Sequence, residues 1–223
     1  MNIKKSIFTF IFLGISILSL AQEDNDYVEF NDRNNVVHGV YLGISGRFGE
    51  IDGNDTFMGG FKVAYVANQQ FEIGFEGNFI YSDQNYFNTA NNRKEDLIGV
   101  YGGLHFEPIL FSKSRVNLSF PLLIGAGAIG QIGDDFNDDN IEEELTEEDF
   151  DGVFVAEPGI SALFNINRYL QIEAGVKYRF SSKIDLPNSP IKRINGFSAG
   201  IGIKVGVFNM GRNRYKKNIG DGK

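Results

Sequence analysis

Few side chains in this 223-residue sequence could carry catalytic chemistry. His38 and His105 are the only histidines, and there is no cysteine to act as a nucleophile, a thiolate metal ligand or a disulfide partner. Nucleophilic catalysis would need a histidine beside a serine, usually with an acidic group to orient the ring. Glu107 follows His105 by two residues, but a histidine among polar interior groups explains this pair equally well. The sequence therefore favours a protein that is not an enzyme.

A second group of reactive side chains lies in an acidic stretch over residues 134–151, which contains no basic residue. Carboxylates are the oxygen ligands that calcium prefers, and like charges at this density repel one another unless they are neutralised. The stretch lacks the central glycine of an EF-hand loop, so a solvated loop and a weak calcium site are both open. No other cofactor is expected. The candidate ligands are Asp134, Asp135, Asp138, Asp139, Glu142 and Glu143.

Five basic and five acidic residues share the polar positions of segments that alternate polar with apolar residues. Buried charges are tolerated only when they are paired, so we expect a salt-bridged network inside the fold. Glycines at the same positions leave room for these long side chains; they are Gly43, Gly60, Gly74, Gly103, Gly127, Gly175 and Gly202. The charged residues are Arg47, Lys62, Lys177, Arg179 and Lys204, with Glu72, Glu76, Glu107, Glu157 and Glu173.

Eight segments of the chain show this alternation with a period of two. In the third segment, Phe75 and Phe79 alternate with Glu76 and Asn78. Successive side chains of a strand point to opposite faces, so each segment is predicted to be a strand with one apolar and one polar face. The predicted strands cover about 36–50, 56–67, 71–82, 96–110, 115–132, 153–165, 169–181 and 194–208.

The connectors between these strands alternate long and short. Long connectors are expected near 52–55, 83–95, 133–152 and 182–193, and short ones at 68–70, 112–114 and 166–168. Transmembrane barrels show this asymmetry, and strands can span a membrane only when the sheet closes and pairs every backbone amide. The sequence thus predicts an all-β, eight-stranded, antiparallel up-and-down transmembrane β-barrel, with both termini on the same side.

A soluble barrel with an apolar ligand cavity is the alternative fold. It would expose the ten charges and enclose most of the 21 phenylalanines, which eight strands can hardly contain. Lipid can accept these rings on the outside. Aromatic residues near the predicted strand ends fit an interfacial girdle as well: Phe48, Tyr65, Tyr81, Tyr178 and Phe180.

The ends of the chain predict export. Lys4 and Lys5 precede an apolar core over residues 6–20 that is short for a membrane span, and Ser19 and Ala21 suit a cleavage site. A retained anchor is the alternative. The predicted divisions are a signal peptide at 1–21, a flexible lead-in at 22–35, the barrel at 36–208 and a basic tail at 209–223. The net charge of −8 excludes an electrostatic footprint for nucleic acid.

On these strands and this charged face, the chain resembles the small outer-membrane barrels of the OmpX and OmpA-transmembrane type, within the porin-like group called the outer membrane protein beta-barrel domain. The resemblance covers residues 36–208 and implies the outer membrane of a Gram-negative bacterium, with periplasmic termini. It also implies contact with membrane lipid, lipopolysaccharide and the barrel assembly machinery. That machinery often reads a terminal aromatic residue; here Phe208 is followed by a basic tail and preceded two residues earlier by Gly206.

Three functions follow as expectations. The first is a non-enzymatic barrel with a salt-bridged interior that supports envelope integrity and meets an extracellular ligand through its outer loops. The second is a narrow porin or solute channel, which needs a water path past the interior charges. The third is a lipid-modifying barrel enzyme, for which His105 would be the candidate.

Overall fold

The structure is a computed structural model that describes residues 37–88, 93–112, 114–133, 150–187 and 189–210. The chain divides into the units Met1–Asn34 and Asn35–Lys223, and the described residues belong to the second unit. The predicted signal peptide, the lead-in, the six candidate calcium ligands and nearly all of the basic tail lie outside these ranges. The predictions made for them therefore stay predictions.

Nine strands build the described part of the chain. Every pairing between them is antiparallel, and β1 pairs with both β2 and β9, so the sheet closes into a ring. The predicted eight-stranded barrel is confirmed, since β5 and β6 are two halves of one barrel strand. The strands are β1 (His38–Ile51), β2 (Asn54–Ala67), β3 (Phe71–Asn88), β4 (Arg93–Leu110), β5 (Val116–Ser119), β6 (Leu122–Gly133), β7 (Phe150–Asn165), β8 (Leu170–Ser181) and β9 (Gly196–Met210).

The break between β5 and β6 corrects the prediction of one continuous strand over 115–132. Proline has no amide hydrogen for the ladder, so Pro121 interrupts the pairing. Around it the backbone finds irregular partners: the Phe120 amide donates to Pro108 O at 3.0 Å, and the Gly159 amide donates to Pro121 O at 2.8 Å. Both halves still pair with β4 and β7, so the wall stays closed.

Two of the connectors predicted to be long loops differ from the prediction. The first, near 52–55, is a short turn, and the second, near 83–95, is largely strand. Only Asp52 and Gly53 join β1 to β2, with φ values of 52° and 83°, as in the tight hairpin turns that Asp-Gly sequences favour. Beyond a register shift after Ser82, β3 and β4 pair again up to Asn88 and Arg93. The predicted loop at 83–95 is therefore mostly an extension of this hairpin.

The outside of the barrel is apolar. Side chains assigned to the apolar face are exposed, among them Phe48 at 71 %, Phe154 at 74 % and Ile201 at 69 %. Exposed apolar surface of this extent around a closed sheet matches a barrel that faces lipid. Aromatic pairs lie on this surface, such as Phe48 with Phe57 at 5.2 Å between ring centroids. None of the described residues forms a helix that is long and apolar enough to cross a membrane.

Interior glycines allow the backbone of a neighbouring strand to approach closely. A Cβ atom at Gly74 would lie 2.0 Å from Val63 O, and one at Gly127 would lie 2.0 Å from Val100 O. Both distances are far shorter than a van der Waals contact. The space that a side chain would need at these two positions is therefore occupied by the backbone of the neighbouring strand, and not only by a long charged side chain as predicted. We call the end of the barrel with the β2–β3, β4–β5 and β7–β8 links the turn end, and the opposite end the loop end.

Candidate functional site: the barrel interior

The ten charged residues predicted to face inward all lie in the lumen and contact one another. Each takes part in at least one ion pair within 4.0 Å, and together the pairs form one connected network along the lumen. All ten come from the polar face of their strands, because period-two alternation points them away from lipid. The five basic and five acidic residues have a net charge of zero, to which His105 adds a positive charge only if it is protonated.

Lys204 and Lys62 organise the half of the network nearer the turn end. The Lys204 ammonium lies 2.9 Å from Glu72 Oε2, 3.0 Å from Glu107 Oε2 and 3.4 Å from Glu173 Oε2. Lys62 shares two of these partners, at 3.4 Å from Glu107 and 3.3 Å from Glu173. Two ammonium groups thus share three carboxylates within one short stretch of the lumen.

The other half continues towards the loop end through Glu76 and Glu157. Lys177 Nζ lies 2.7 Å from Glu76 Oε1, and Arg47 Nη1 donates to Glu157 Oε2 at 3.1 Å. Arg179, which is fully buried, lies 3.6 Å from Glu157 Oε1 and donates through Nε to the backbone oxygen of Ile194 at 2.5 Å. Arg179 therefore joins the charge network to the segment that covers the loop end.

His105 is fully buried between two carboxylates. Its Nε2 lies 3.0 Å from Glu107 Oε2, and its Nδ1 lies 3.0 Å from Glu76 Oε2, a close contact that lacks hydrogen-bond geometry. Since both ring nitrogens face carboxylates, neither faces a serine, as a nucleophilic site would require. His38, the other histidine, is exposed and contacts the Tyr65 hydroxyl.

One group of metal-ligating side chains lies within this network. Donor atoms of Glu72, His105 and Glu107 lie within 4.8 Å of one another, and all three residues are buried. The Lys204 ammonium already contacts both carboxylates of this group. A cation in the same place would meet a fixed positive charge, so these residues do not make a convincing metal site.

Towards the loop end the interior changes from charged to apolar. We call this cluster the apolar plug. Its wall residues fill the lumen from inward positions of the strands, and Tyr101 joins the plug to the charge network by donating to Glu157 Oε1 at 2.7 Å. Four more members come from the segment 182–195 between β8 and β9, which we call the cap. The plug consists of Ile51, Met58, Ile80, Leu97, Tyr101, Leu123, Ile129, Val153 and Val155 from the wall, with Ile184, Leu186, Ile191 and Ile194 from the cap.

Hydrogen bonds hold the cap in the mouth of the barrel. The Ile194 amide donates to Ser181 Oγ at 2.9 Å, and Arg193 Nη1 donates to the backbone oxygen of Ser181 at 2.6 Å. At its other end, the Asp185 amide donates to Asp151 Oδ2 at 2.5 Å. The segment is a long connector, as predicted, but it folds inward because four of its side chains are apolar and become buried.

Little space remains between the charged residues. A cavity of about 30 Å³ lies against Arg47, Lys62, Glu76, Glu173 and Lys177, enough for about one water molecule. An eight-stranded barrel is just wide enough for its interior side chains to fill it, and these side chains do so. The described lumen is therefore filled at two levels, by the ion pairs nearer the turn end and by the apolar plug nearer the loop end.

No protein-family model matches the chain, and no curated protein matches it. Among solved structures, the chain is similar to Neisserial surface protein A (NspA), with a TM-score of 0.54 and 9 % identity over 75 % of this chain and 96 % of that one. The TM-score is 0.44 for Ail of Yersinia pestis in complex with the heparin analogue sucrose octasulfate, with 15 % identity over 77 % of this chain and 99 % of that one. For the outer membrane enzyme PagL the TM-score is 0.42, with 10 % identity over 73 % of this chain and 98 % of that one.

At 9 % identity, the likeness to NspA shows the fold alone. The chain is a small outer-membrane-type β-barrel with eight antiparallel strands.

Proposed function

We propose that this protein is a non-enzymatic outer-membrane barrel, closed to solutes, that contributes to envelope integrity and makes surface contacts through its loop end. The observation that carries the proposal is the double closure of the lumen. Ion pairs around Lys204 and Glu76 fill one part, and the apolar plug with its cap fills the next. A barrel with such an interior is a rigid scaffold, so its function belongs to the surfaces at its two ends.

The apolar exterior supports a place in the outer membrane of a Gram-negative bacterium, with lipid and lipopolysaccharide around the wall. Both ends of the described barrel, at His38 in β1 and Met210 in β9, pair with each other at the turn end. Short turns face the periplasm in barrels of this kind, so the termini are proposed to be periplasmic and the cap to face the outside. Delivery by the barrel assembly machinery belongs to the same proposal.

Exposed acidic residues at the loop end suit a basic partner, or an anionic surface bridged by divalent cations. Asp52, Asp55, Asp83 and Asp185 are exposed there beside as many basic residues, namely Lys94, Lys183, Lys192 and Arg193. The excess of negative charge therefore comes from the acidic stretch 134–149, which joins two strands at this end. Weak calcium binding by that stretch remains part of the proposal, because carboxylates at this density favour a hard cation.

A deletion strain of the source bacterium tests the proposal. Loss of the protein should raise the entry of a bulky apolar dye and the sensitivity to detergent, while uptake of small hydrophilic solutes stays unchanged. Complementation with the native gene should restore the barrier. The opposite pattern, a loss of hydrophilic uptake with an intact barrier to the dye, would replace this function with that of a porin.

A further inference from the structure

A polar cavity opens at the turn end, on the side of the charge network opposite the cap. It has a volume of about 360 Å³, which lies within the range of small-molecule sites. We call it the vestibule. Glu72 and Gln171 line it, together with Asn117, Asn165, Arg168 and Phe208. None of the functions proposed above uses this cavity.

Three side-chain amides in the vestibule form a chain whose direction is fixed. The Asn117 amide nitrogen donates to the backbone oxygens of Phe111 and Ser114, so its Oδ1 must be the atom that faces Asn165. That oxygen accepts from Asn165 Nδ2 at 2.5 Å, and Asn165 Oδ1 in turn accepts from Gln171 Nε2 at 2.7 Å. Because backbone carbonyls can only accept, the assignment cannot be flipped. Gln171 Oε1 is consequently left as an acceptor.

Two buried acceptors on residues that line the vestibule lack a donor among the described residues. Gln171 Oε1 is one, and Glu72 Oε1 is the other. The second oxygen of Glu72 is satisfied, by the Tyr41 hydroxyl and by the Lys204 ammonium at 2.9 Å. Glu72 is fully buried and Gln171 is 5 % exposed. Buried acceptors without donors are unfavourable, so a ligand that brings donors gains from both.

The charges around the vestibule favour a neutral ligand. Glu72 and the basic Arg168 are the two charged residues that line the cavity, and Lys204 behind Glu72 is shared among three carboxylates. The charges of the lining therefore cancel, so an ionic ligand would find no excess of opposite charge there. On another side the wall is aromatic, since Phe208 stacks on Tyr41 with ring centroids 5.5 Å apart. A flat ring face beside hydrogen-bond acceptors suits a molecule with C–H faces and hydroxyl edges.

We propose that the vestibule binds a neutral, hydroxyl-rich molecule of sugar size, with its hydroxyls donating to Gln171 Oε1 and Glu72 Oε1 and its apolar face against Phe208. The same chemistry is offered by a free monosaccharide and by the end of a glycan chain.

Calorimetry on the refolded mature protein tests this inference, in a zwitterionic detergent because glucoside and maltoside detergents carry the probe chemistry themselves. The probes are glucose, N-acetylglucosamine and chitotetraose, each at millimolar concentration. Binding of a monosaccharide indicates a free sugar, whereas binding of chitotetraose alone indicates a glycan end. The absence of heat with all three probes would overturn the proposal.

Substitutions then locate the site. Gln171→Leu removes one acceptor and should weaken binding roughly threefold to tenfold, while Gln131→Leu makes the same change at a buried glutamine near the loop end and should leave binding unchanged. Equal effects of the two variants would contradict the assignment.

A second pair of variants serves if Gln171→Leu does not fold. Ser112→Trp fills the vestibule from its rim and should abolish binding, whereas Ile166→Trp, at an exposed position of the β7–β8 link at the same end, lies outside the lining and should not. Binding that survives Ser112→Trp would place the ligand elsewhere.

Discussion

Lys204 and Glu107 contact each other across the lumen, with Nζ 3.0 Å from Oε2, although β9 and β4 are not neighbours in the ring. Lys204 also contacts Glu72 on β3 and Glu173 on β8. One side chain thus ties together strands from opposite walls. The charge network therefore stabilises the barrel by linking its opposite walls, and it also fills the lumen.

Replacing Lys204 should be strongly destabilising. Lys204→Met leaves three buried carboxylates short of a positive charge, and breaking a buried ion pair from one side costs about 3–5 kcal/mol. The free energy of unfolding can be measured by urea titration in lipid vesicles. Lys192→Met is the control, because its pair with Asp185 at 3.4 Å is exposed and such pairs contribute little. Similar losses in both variants would contradict the bracing role.

Truncation of the cap should also lower stability. Ile194 is fully buried in the apolar plug, so Ile194→Ala should reduce the free energy of unfolding by about 2–5 kcal/mol, the usual range for such cavities. Proteolysis within residues 182–195 should become faster at the same time. Ile166→Ala, at an exposed position of the β7–β8 link, is the matched control and should change neither quantity. A cap that is cleaved equally fast in the native protein and in Ile194→Ala would argue against a docked segment.

The Asp52-Gly53 turn makes a prediction about backbone conformation. Gly53 has a φ of 83°, and an alanine there should cost about 1–2 kcal/mol because its Cβ disfavours the left-handed region. Gly46→Ala provides the comparison, since a Cβ at Gly46 would meet nothing within 4 Å. Urea titration of both variants is the measurement. Equal stability of the two would mean that the turn does not adopt this conformation.

Orientation in the membrane can be read by cysteine labelling, since the native chain has no cysteine. Asp185→Cys places a thiol on the exposed surface of the cap, and Arg168→Cys places one in a short turn at the opposite end. A membrane-impermeant maleimide added to intact cells should label the first variant and not the second, and both should react after lysis. The reverse pattern would place the termini outside the cell.

The alternation of side chains allowed the wall of the barrel to be predicted from the sequence. Phe75 and Glu76 point to opposite faces because a strand repeats every two residues, and this rule holds along all eight segments. The inward position of all ten charged residues followed from it. Their partners could not be predicted, since pairs such as Lys204 with Glu107 depend on how strands on opposite walls face each other in three dimensions.

Other features were missed although the sequence carried a signal for them. Met58 and Leu97 are apolar residues on the polar face near strand ends, and they mark the apolar plug. Asp52-Gly53 is a typical two-residue hairpin signal, although a longer connector is predicted at 52–55. The cap could have been suspected from Ile184 and Ile194, but only the three-dimensional structure shows that the lumen has room for them.

Ion conductance in planar bilayers tests the central claim most directly. The mature protein is refolded, and its insertion is verified by heat-dependent migration on a gel. A lumen closed by ion pairs and by the apolar plug predicts no steady openings from the inserted native protein. Steady, ion-selective openings would contradict this account, because they require a continuous water path past Lys204, Glu76 and the cap.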